Sequence, residues 1–225
     1  GAGTIIGKKS TDGGSQNGGF LMVLQEDGGV KFATDDGFGY SQTLSESTSA
    51  FDGDWHLIVA VRSGADLCIY FDGELLEGTS TGQSSSTLDV TNNLPLLIGS
   101  VQQEQEPYIH YSGAIANVKV WARALQQSEI LDGSIVGLNG DEDGLVAYWP
   151  LQQNGDDLSS TKNDAVAYGD VTYADSGKTL GTSMAAYLSK VKGDKTKVKL
   201  GNTRRNRKPL KRSSGGRVLE KDKNS

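Results

Sequence analysis

Apolar and polar residues alternate in short runs along most of the chain. The runs Phe20–Leu24 and Val30–Thr34 flank the polar segment 25–29, which contains two glycines. Glycine adopts the positive φ values that tight hairpin turns need. The pattern therefore predicts a β-hairpin over residues 20–34.

The next alternating segment extends from Asp54 to Arg62 and places Trp55, Val59 and Val61 on one face. Such a face predicts a strand whose large side chains fill a core between two sheets. Residues 67–71 alternate in the same way and lead through Asp72 and Gly73, a tight-turn pair, into residues 74–76.

Two more strands are predicted at Leu94–Val101 and Ala114–Ala122, the second with Ile115, Val118 and Val120 as core residues. Strands that recur every 8–12 residues with turn signals between them indicate an all-β sandwich or barrel. Helical spacing is confined to residues 124–131 and 184–191. From about residue 192 no apolar periodicity remains, and the composition is typical of a disordered arm.

Five motifs in chain order resemble those of one family. Asp52–His56 resembles a G-x-W-H strand opening, Tyr70–Glu74 a Y-x-D-G hairpin, and Leu97–Gly99 an L-x-I-G strand. Ser112–Trp121 and Ala124–Ile130 resemble the following strand and helix. The chain thus resembles the laminin-G-like and pentraxin families of the concanavalin-A-like superfamily over about residues 4–151. The resemblance implies an all-β, two-sheet antiparallel jelly-roll sandwich with one short helix and a basic C-terminal tail.

The domain division that follows has three parts. Residues 1–151 form the sandwich, 152–189 an extension or a truncated second repeat with a short helix, and 190–225 a basic arm. The family usually begins with about forty residues before the strand that Thr4–Ile6 resembles, and the run Gly144–Leu151 resembles that opening. We expect this run to close the first sandwich, since an unpaired apolar strand would be an exposed sheet edge that is prone to aggregation. The start of a second repeat is the alternative.

Charge divides the chain sharply. Residues 190–225 carry 14 Lys and Arg against 3 Asp and Glu, a net charge of +11, whereas residues 1–189 carry a net charge of −17. A basic block of this kind attracts polyanions or acidic protein surfaces. The residues expected to make these contacts are Arg204, Arg205, Arg207, Lys208, Lys211 and Arg212.

Catalysis is not expected. The glucanases of the superfamily supply paired acids from one strand in an E-x-D-x-x-E arrangement, and no strand of this sequence carries it. Glu104 and Glu106 come nearest but lack the third acid. His56 and His110 stand outside any nucleophile motif, and Cys68 is the single cysteine, so no internal disulfide forms.

A calcium site is a weaker expectation. Gln103–Glu106 resembles the pentraxin Q-E-Q-D segment, which implies Glu104, Gln105 and Glu106 as ligands. Oxygen donors at this density suit a hard cation. The segments 141–143 and 35–36 are rival acidic loops, and each is equally consistent with solvated carboxylates.

Aromatic residues in loops supply the candidate ligand site: Tyr108, His110 and Tyr111 in one stretch and Tyr40 in another. The sequence therefore predicts a non-catalytic module that binds glycan or protein through loops at one end of the sandwich. The alternative is a structural subunit of a large assembly, whose basic arm clamps an acidic protein or a nucleic acid. The resemblance suggests an extracellular or cell-surface location, without excluding an intracellular assembly, and no membrane span is predicted.

Overall fold

The computed structural model describes residues 1–9, 18–36, 39–82, 90–102, 110–132 and 138–173. These residues form eleven strands and one short helix. In chain order they are β1 (Gly3–Lys8), β2 (Gly19–Leu24), β3 (Val30–Asp35), β4 (Tyr40–Ser45), β5 (Ile58–Ser63), β6 (Asp66–Phe71), β7 (Glu74–Leu75), β8 (Gly78–Gly82), β9 (Leu97–Ile98), β10 (Val118–Trp121), α1 (Gln127–Asp132) and β11 (Leu145–Trp149).

The largest sheet has six strands in the order β8-β4-β3-β2-β1-β9, and every pair within it is antiparallel. The hairpin predicted from the sequence is confirmed, because Leu24 pairs with Val30 and Gly28 adopts a φ of 86° in the turn. The Asp72-Gly73 turn is also confirmed. Both residues have positive φ between the paired residues Phe71 and Glu74, as a type I′ turn requires.

The second layer consists of two smaller antiparallel sheets, β5-β6-β7 and β10-β11. An architecture of antiparallel sheets with almost no helix is consistent with the expected β-sandwich. The jelly-roll connectivity and the basic tail remain predictions, and residues 174–225 lie outside the described residues. No helix in the described ranges is both long and apolar enough to cross a membrane.

The core between the layers is built mainly from the inner face of the large sheet. Its buried residues are Ile6, Met22, Leu24, Val30, Phe32 and Ile69. From the second layer, Ile58 and Ala60 of β5 and Val118 and Val120 of β10 pack against this cluster. Val118 and Val120 are thus core residues as predicted.

The prediction for the face of β5 was wrong. Val59 and Val61 point away from the core between the sheets and pack with Leu125 and Ile130 under helix α1. Trp55 is in neither cluster. The reason is that both faces of β5 are apolar, so alternation alone does not indicate which face meets the large sheet and which meets the helix.

Three strands are shorter than their apolar patterns predicted, and each ends at a local feature, a side-chain cross-link in one case and a positive φ in the other two. Residues before Ile58 are held in a loop by the ring of His56, described below. Gly99 ends β9 with a φ of 79°, and Asn117 precedes β10 with a φ of 53°. A residue in the left-handed region interrupts the extended backbone that a strand requires.

Candidate functional site

Tyr40 lies at one end of the six-stranded sheet. It pairs with Asp35 and lies at the same end as Lys8, the last residue of β1. Its ring is partly exposed, and its hydroxyl donates a hydrogen bond of 2.6 Å to Gln42 Oε1. Burial and the nearby Asp35 carboxylate raise the pKa of Tyr40, so its phenol stays a neutral donor.

His110 and Tyr111 lie toward the opposite end of the same sheet. His110 is exposed and forms a parallel β-bridge with Thr4, near the beginning of β1. The amide of Tyr111 donates to Gly99 O at 2.9 Å, and the ring packs against the core between the sheets. Burial raises the pKa of Tyr111. The structure therefore brings His110 and Tyr111 together and leaves Tyr40 apart from them.

Gly113 lies under the Tyr111 ring. A Cβ on Gly113 would come within 2.6 Å of the Tyr111 ring and hydroxyl. A larger residue at position 113 would therefore displace the Tyr111 ring, whereas His110 beside it is exposed.

Two groups of predicted site residues fall outside the described residues. The expected calcium ligands Glu104, Gln105 and Glu106, together with Tyr108, belong to the segment 103–109, and the arm residues belong to 174–225. Calcium binding therefore stays a prediction. Within the described ranges no group of three His, Cys, Asp or Glu side chains is placed to hold a metal ion.

His56 is buried and joins two loops through its ring. Nδ1 lies 2.9 Å from Asp72 Oδ2, and Nε2 lies 3.0 Å from Asp52 Oδ1. The ring also stacks on Phe71 with a centroid separation of 4.6 Å, and Asp72 accepts the Leu57 amide at 3.0 Å. The arrangement is a structural cross-link, because both nitrogens are occupied and no substrate atom can reach them.

Asp157 organises the loop that follows β11. Its carboxylate is 1% exposed and accepts backbone N–H bonds from Tyr148 at 2.9 Å, Ser159 at 2.8 Å and Asn163 at 2.9 Å. Burial opposes ionisation, but these hydrogen bonds and that of the Ser159 side chain outweigh it and lower the pKa of Asp157 to about 2. The Thr161 hydroxyl lies 3.1 Å away as a further donor.

The outer face of β10 and β11 carries cations on aromatic rings. Lys119 Nζ is 4.5 Å from the Tyr148 ring centroid, and the Arg123 guanidinium is 5.2 Å from that of Trp121. Burial lowers the pKa of Lys119 to about 8, although the Glu142 carboxylate acts in the opposite direction. Because the cations cover the rings, these aromatics offer no open stacking platform for a sugar.

The acids near this face are engaged as well. Arg123 forms a bidentate pair with Glu129 at 2.7 and 2.9 Å, and this hydrogen bonding, with help from the Gln126 amide, lowers the pKa of Glu129 to about 2. Glu142 accepts the amides of Asn139 and Gly140. Such carboxylates stabilise turns and are not available as a catalytic pair.

A cleft of about 570 Å³ separates β5 from β10, and the sequence analysis did not predict it. Residues 57–62 form one wall and residues 119–125 form the other. The floor consists of large-sheet side chains, namely Ile6, Phe20, Met22, Phe32 and Thr34. No sequence signal reveals the cleft, because it arises where two strands about sixty residues apart fail to pair.

Comparisons with known proteins find one solved structure and one family model that are similar to this chain. One solved structure, the S-layer domain-containing protein (residues 221–444) from Clostridium thermocellum, is 27% identical over 53% of this chain and 57% of that chain, with a TM-score of 0.30. The chain thus spans little more than half the length of that structure. The family model described as concanavalin A-like lectin/glucanases superfamily, laminin G type, matches residues 2–131. The chain belongs to this superfamily, within which laminin G-like domains are generally non-catalytic binding modules.

Proposed function

We propose that this chain is a non-catalytic recognition module that binds a glycan or a protein through loops at one end of its sandwich. The observation that carries the proposal is how the segment 103–109 is anchored. Val101 lies beside Gly7, and His110 bridges to Thr4, so both ends of the segment are attached to β1. Thr4 and Gly7 are three positions apart along β1, a span of roughly 10 Å.

An anchored seven-residue segment suits ligand recognition because a rigid scaffold holds both of its ends. This segment carries Tyr108 and the oxygen-rich run Glu104–Glu106 next to the exposed His110. An aromatic ring, an imidazole and carboxylates together offer stacking, hydrogen bonding and cation binding. Calcium bound by Glu104, Gln105 and Glu106 would add positive charge for hydroxyl or carboxylate groups of the ligand.

Glycan-array binding of the whole chain tests the proposal, with and without a calcium chelator. We expect Tyr108→Ala and His110→Ala to weaken binding at least tenfold, and Glu104→Gln to remove any calcium dependence. Tyr40→Ala is the matched control, because Tyr40 lies at the other end of the sheet. A ligand whose binding survives both Tyr108→Ala and His110→Ala contradicts the proposed site.

A second candidate function rests on the charge division of the chain. A net charge of +11 in residues 190–225 beside −17 in the remainder favours a structural subunit that holds an acidic partner surface. Replacing the six arm residues Arg204, Arg205, Arg207, Lys208, Lys211 and Arg212 with Gln should lower the salt concentration that elutes the chain from heparin. Lys221→Gln with Lys223→Gln is the control. Equal elution of both variants argues against a dedicated clamp.

A further inference from the structure

Strand β8 is the outermost strand of the six-stranded sheet and presents an open edge. Among the described residues it pairs with β4 alone, and all five of its residues, Gly78–Gly82, are exposed. The strand at the opposite edge of the same sheet, β9, has only two residues. The free edge of a strand carries backbone N–H and C=O groups that can hydrogen-bond to an added strand.

The edge of β8 lacks the features by which sheet edges commonly avoid association. Those features are charged side chains, proline, and bulges that twist the edge away. The sequence Gly-Thr-Ser-Thr-Gly contains neither a charged residue nor a proline. The pairing of β8 with β4 also continues without a shift in register from Ser41↔Gly82 to Ser45↔Gly78. This edge is therefore open to a further antiparallel strand.

The sequence of β8 is the same in both directions, which favours a second copy of this chain as the added strand. In an antiparallel pair centred on position 80, each residue faces its own type, namely Ser80 with Ser80, Thr79 with Thr81, and Gly78 with Gly82. A two-fold interface requires such self-complementarity, because both partners use the same surface patch. In sequence the next pair is Glu77 with Gln83, so no like charges meet. Gln83 itself lies outside the described residues.

The threonines on the outer face of β8 can pair across this interface. Thr81 Oγ1 accepts a hydrogen bond of 3.1 Å from Gln42 Nε2, so its side chain lies on the same face of the sheet as that of Gln42. Its own O–H can then donate to Thr79 of the second copy. Cross-strand pairs of threonine stabilise antiparallel sheets, and the two-fold axis produces this contact twice.

We propose that two copies of this chain associate through β8, antiparallel about Ser80, so that their six-stranded sheets form one continuous sheet. Backbone hydrogen bonds and the two contacts between Thr79 and Thr81 hold the copies together. A pair of five-residue strands buries much less than the roughly 1,200–2,000 Å² of a stable interface, so the dimer is weak, with a dissociation constant on the order of 100 µM. Because β8 carries no charge, added salt should leave the dimer intact.

Sedimentation equilibrium of the whole chain, up to about 1 mM, tests the association. A salt series on the wild-type chain separates this contact from association through the basic residues 190–225, which salt weakens. In the like-charge variant, Thr79→Lys with Thr81→Lys, lysine faces lysine twice, and the dimer should weaken at least tenfold. In the matched opposite-charge variant, Thr79→Lys with Thr81→Glu, lysine faces glutamate twice, and the dimer should persist. Equal melting temperatures of both variants at dilution verify that the fold is kept.

A disulfide cross-link tests the register. With Cys68→Ser as background, Ser80→Cys should form an interchain disulfide under mild oxidation, because opposite Cα atoms in an antiparallel pair are about 4.5–5.5 Å apart. Thr81→Cys alone should not, since it faces Thr79 of the second copy. The proposal is overturned by a chain that is monomeric at about 1 mM, or by a like-charge variant that dimerises as the wild-type chain does. An opposite-charge variant that dissociates, or equal cross-linking of both cysteine variants, would exclude the antiparallel register.

Discussion

Replacing Asp157 with Asn tests how strongly the loop after β11 is fixed. Asn keeps one acceptor oxygen, so it can retain the amides of Tyr148 and Ser159. Its NH₂ group then faces the Asn163 amide, which loses its acceptor, whereas the Thr161 hydroxyl keeps Val146 O at 2.7 Å. Leaving a buried donor unpaired costs about 1–3 kcal/mol, and hydrogen bonds to a charged group are stronger than neutral ones. We expect a loss of about 2–3 kcal/mol at pH 7.

The pH dependence gives an independent check. The folded pKa of Asp157, about 2, is below the ordinary value of 3.8, so its contribution to stability is fully present above about pH 4. That contribution is lost as the pH falls through 2, because the folded carboxylate then binds the proton that the unfolded one has already bound. The difference in unfolding free energy between the wild-type chain and Asp157→Asn should therefore shrink between pH 5 and pH 2.

Urea denaturation monitored by tryptophan fluorescence measures both effects. Asp156→Asn is the matched control, since the neighbouring carboxylate is exposed and should change stability by less than about 0.5 kcal/mol. A loss below 1 kcal/mol for Asp157→Asn at pH 7, or a difference that stays constant from pH 5 to pH 2, would refute the reasoning.

Three further predictions concern single residues. Trp149 is 5% exposed and donates Nε1–H to Asn163 O at 2.8 Å. Trp149→Ala should therefore lower the free energy of unfolding, measured by urea denaturation, by about 3–5 kcal/mol. An unchanged urea midpoint would place β11 outside the cooperative unit. His56→Gln should cost about 1–3 kcal/mol because Asp52 and Asp72 lose the ring that they share as a partner. His110→Gln, at an exposed site, is the control, and equal effects would contradict the cross-link. Burial disfavours the charged form of Lys119, so carrying this charge in the folded state lowers stability in full below about pH 8. Lys119→Met should therefore raise Tm at pH 7, with the gain fading toward pH 10.5, and a gain independent of pH would argue against burial as its cause.

Turns were the part of the fold that sequence reasoning predicted best. Gly28 and the Asp72-Gly73 pair have the positive φ values that their residue types favour, so the adjoining hairpins could be placed from local chemistry alone. Strand β4 could not be placed, because its inward residues are Ser41, Thr43 and Ser45. These hydroxyls are buried, and an apolar-alternation test does not register them.

Contacts between segments that are far apart in the chain could not be predicted from local sequence patterns. The pairing of β10 with β11 joins residues about thirty positions apart, and it is consistent with the expected closing strand, although the domain division itself stays a prediction. The face of β5 depends on helix α1, which lies about seventy residues away. Local patterns identify apolar residues, whereas only the packed chain determines which of two apolar faces each element covers.

Four carboxylates in the described part of the chain have structural roles. Hydrolysis by paired acids requires two carboxyl groups free to reach one bond, about 5–5.5 Å apart in retaining enzymes. In the described part of the chain, Asp157 binds backbone amides, Glu129 pairs with Arg123, and Asp52 and Asp72 hold His56. Asp157, Asp52 and Asp72 stabilise loops next to strands, and Glu129 lies in helix α1 and ties it to Arg123. A carboxylate held by several donors has its negative charge stabilised, so it is a poorer base and nucleophile than a free one. These four carboxylates therefore hold backbone and side-chain donors in place, which is the role that the Asp157→Asn variant tests.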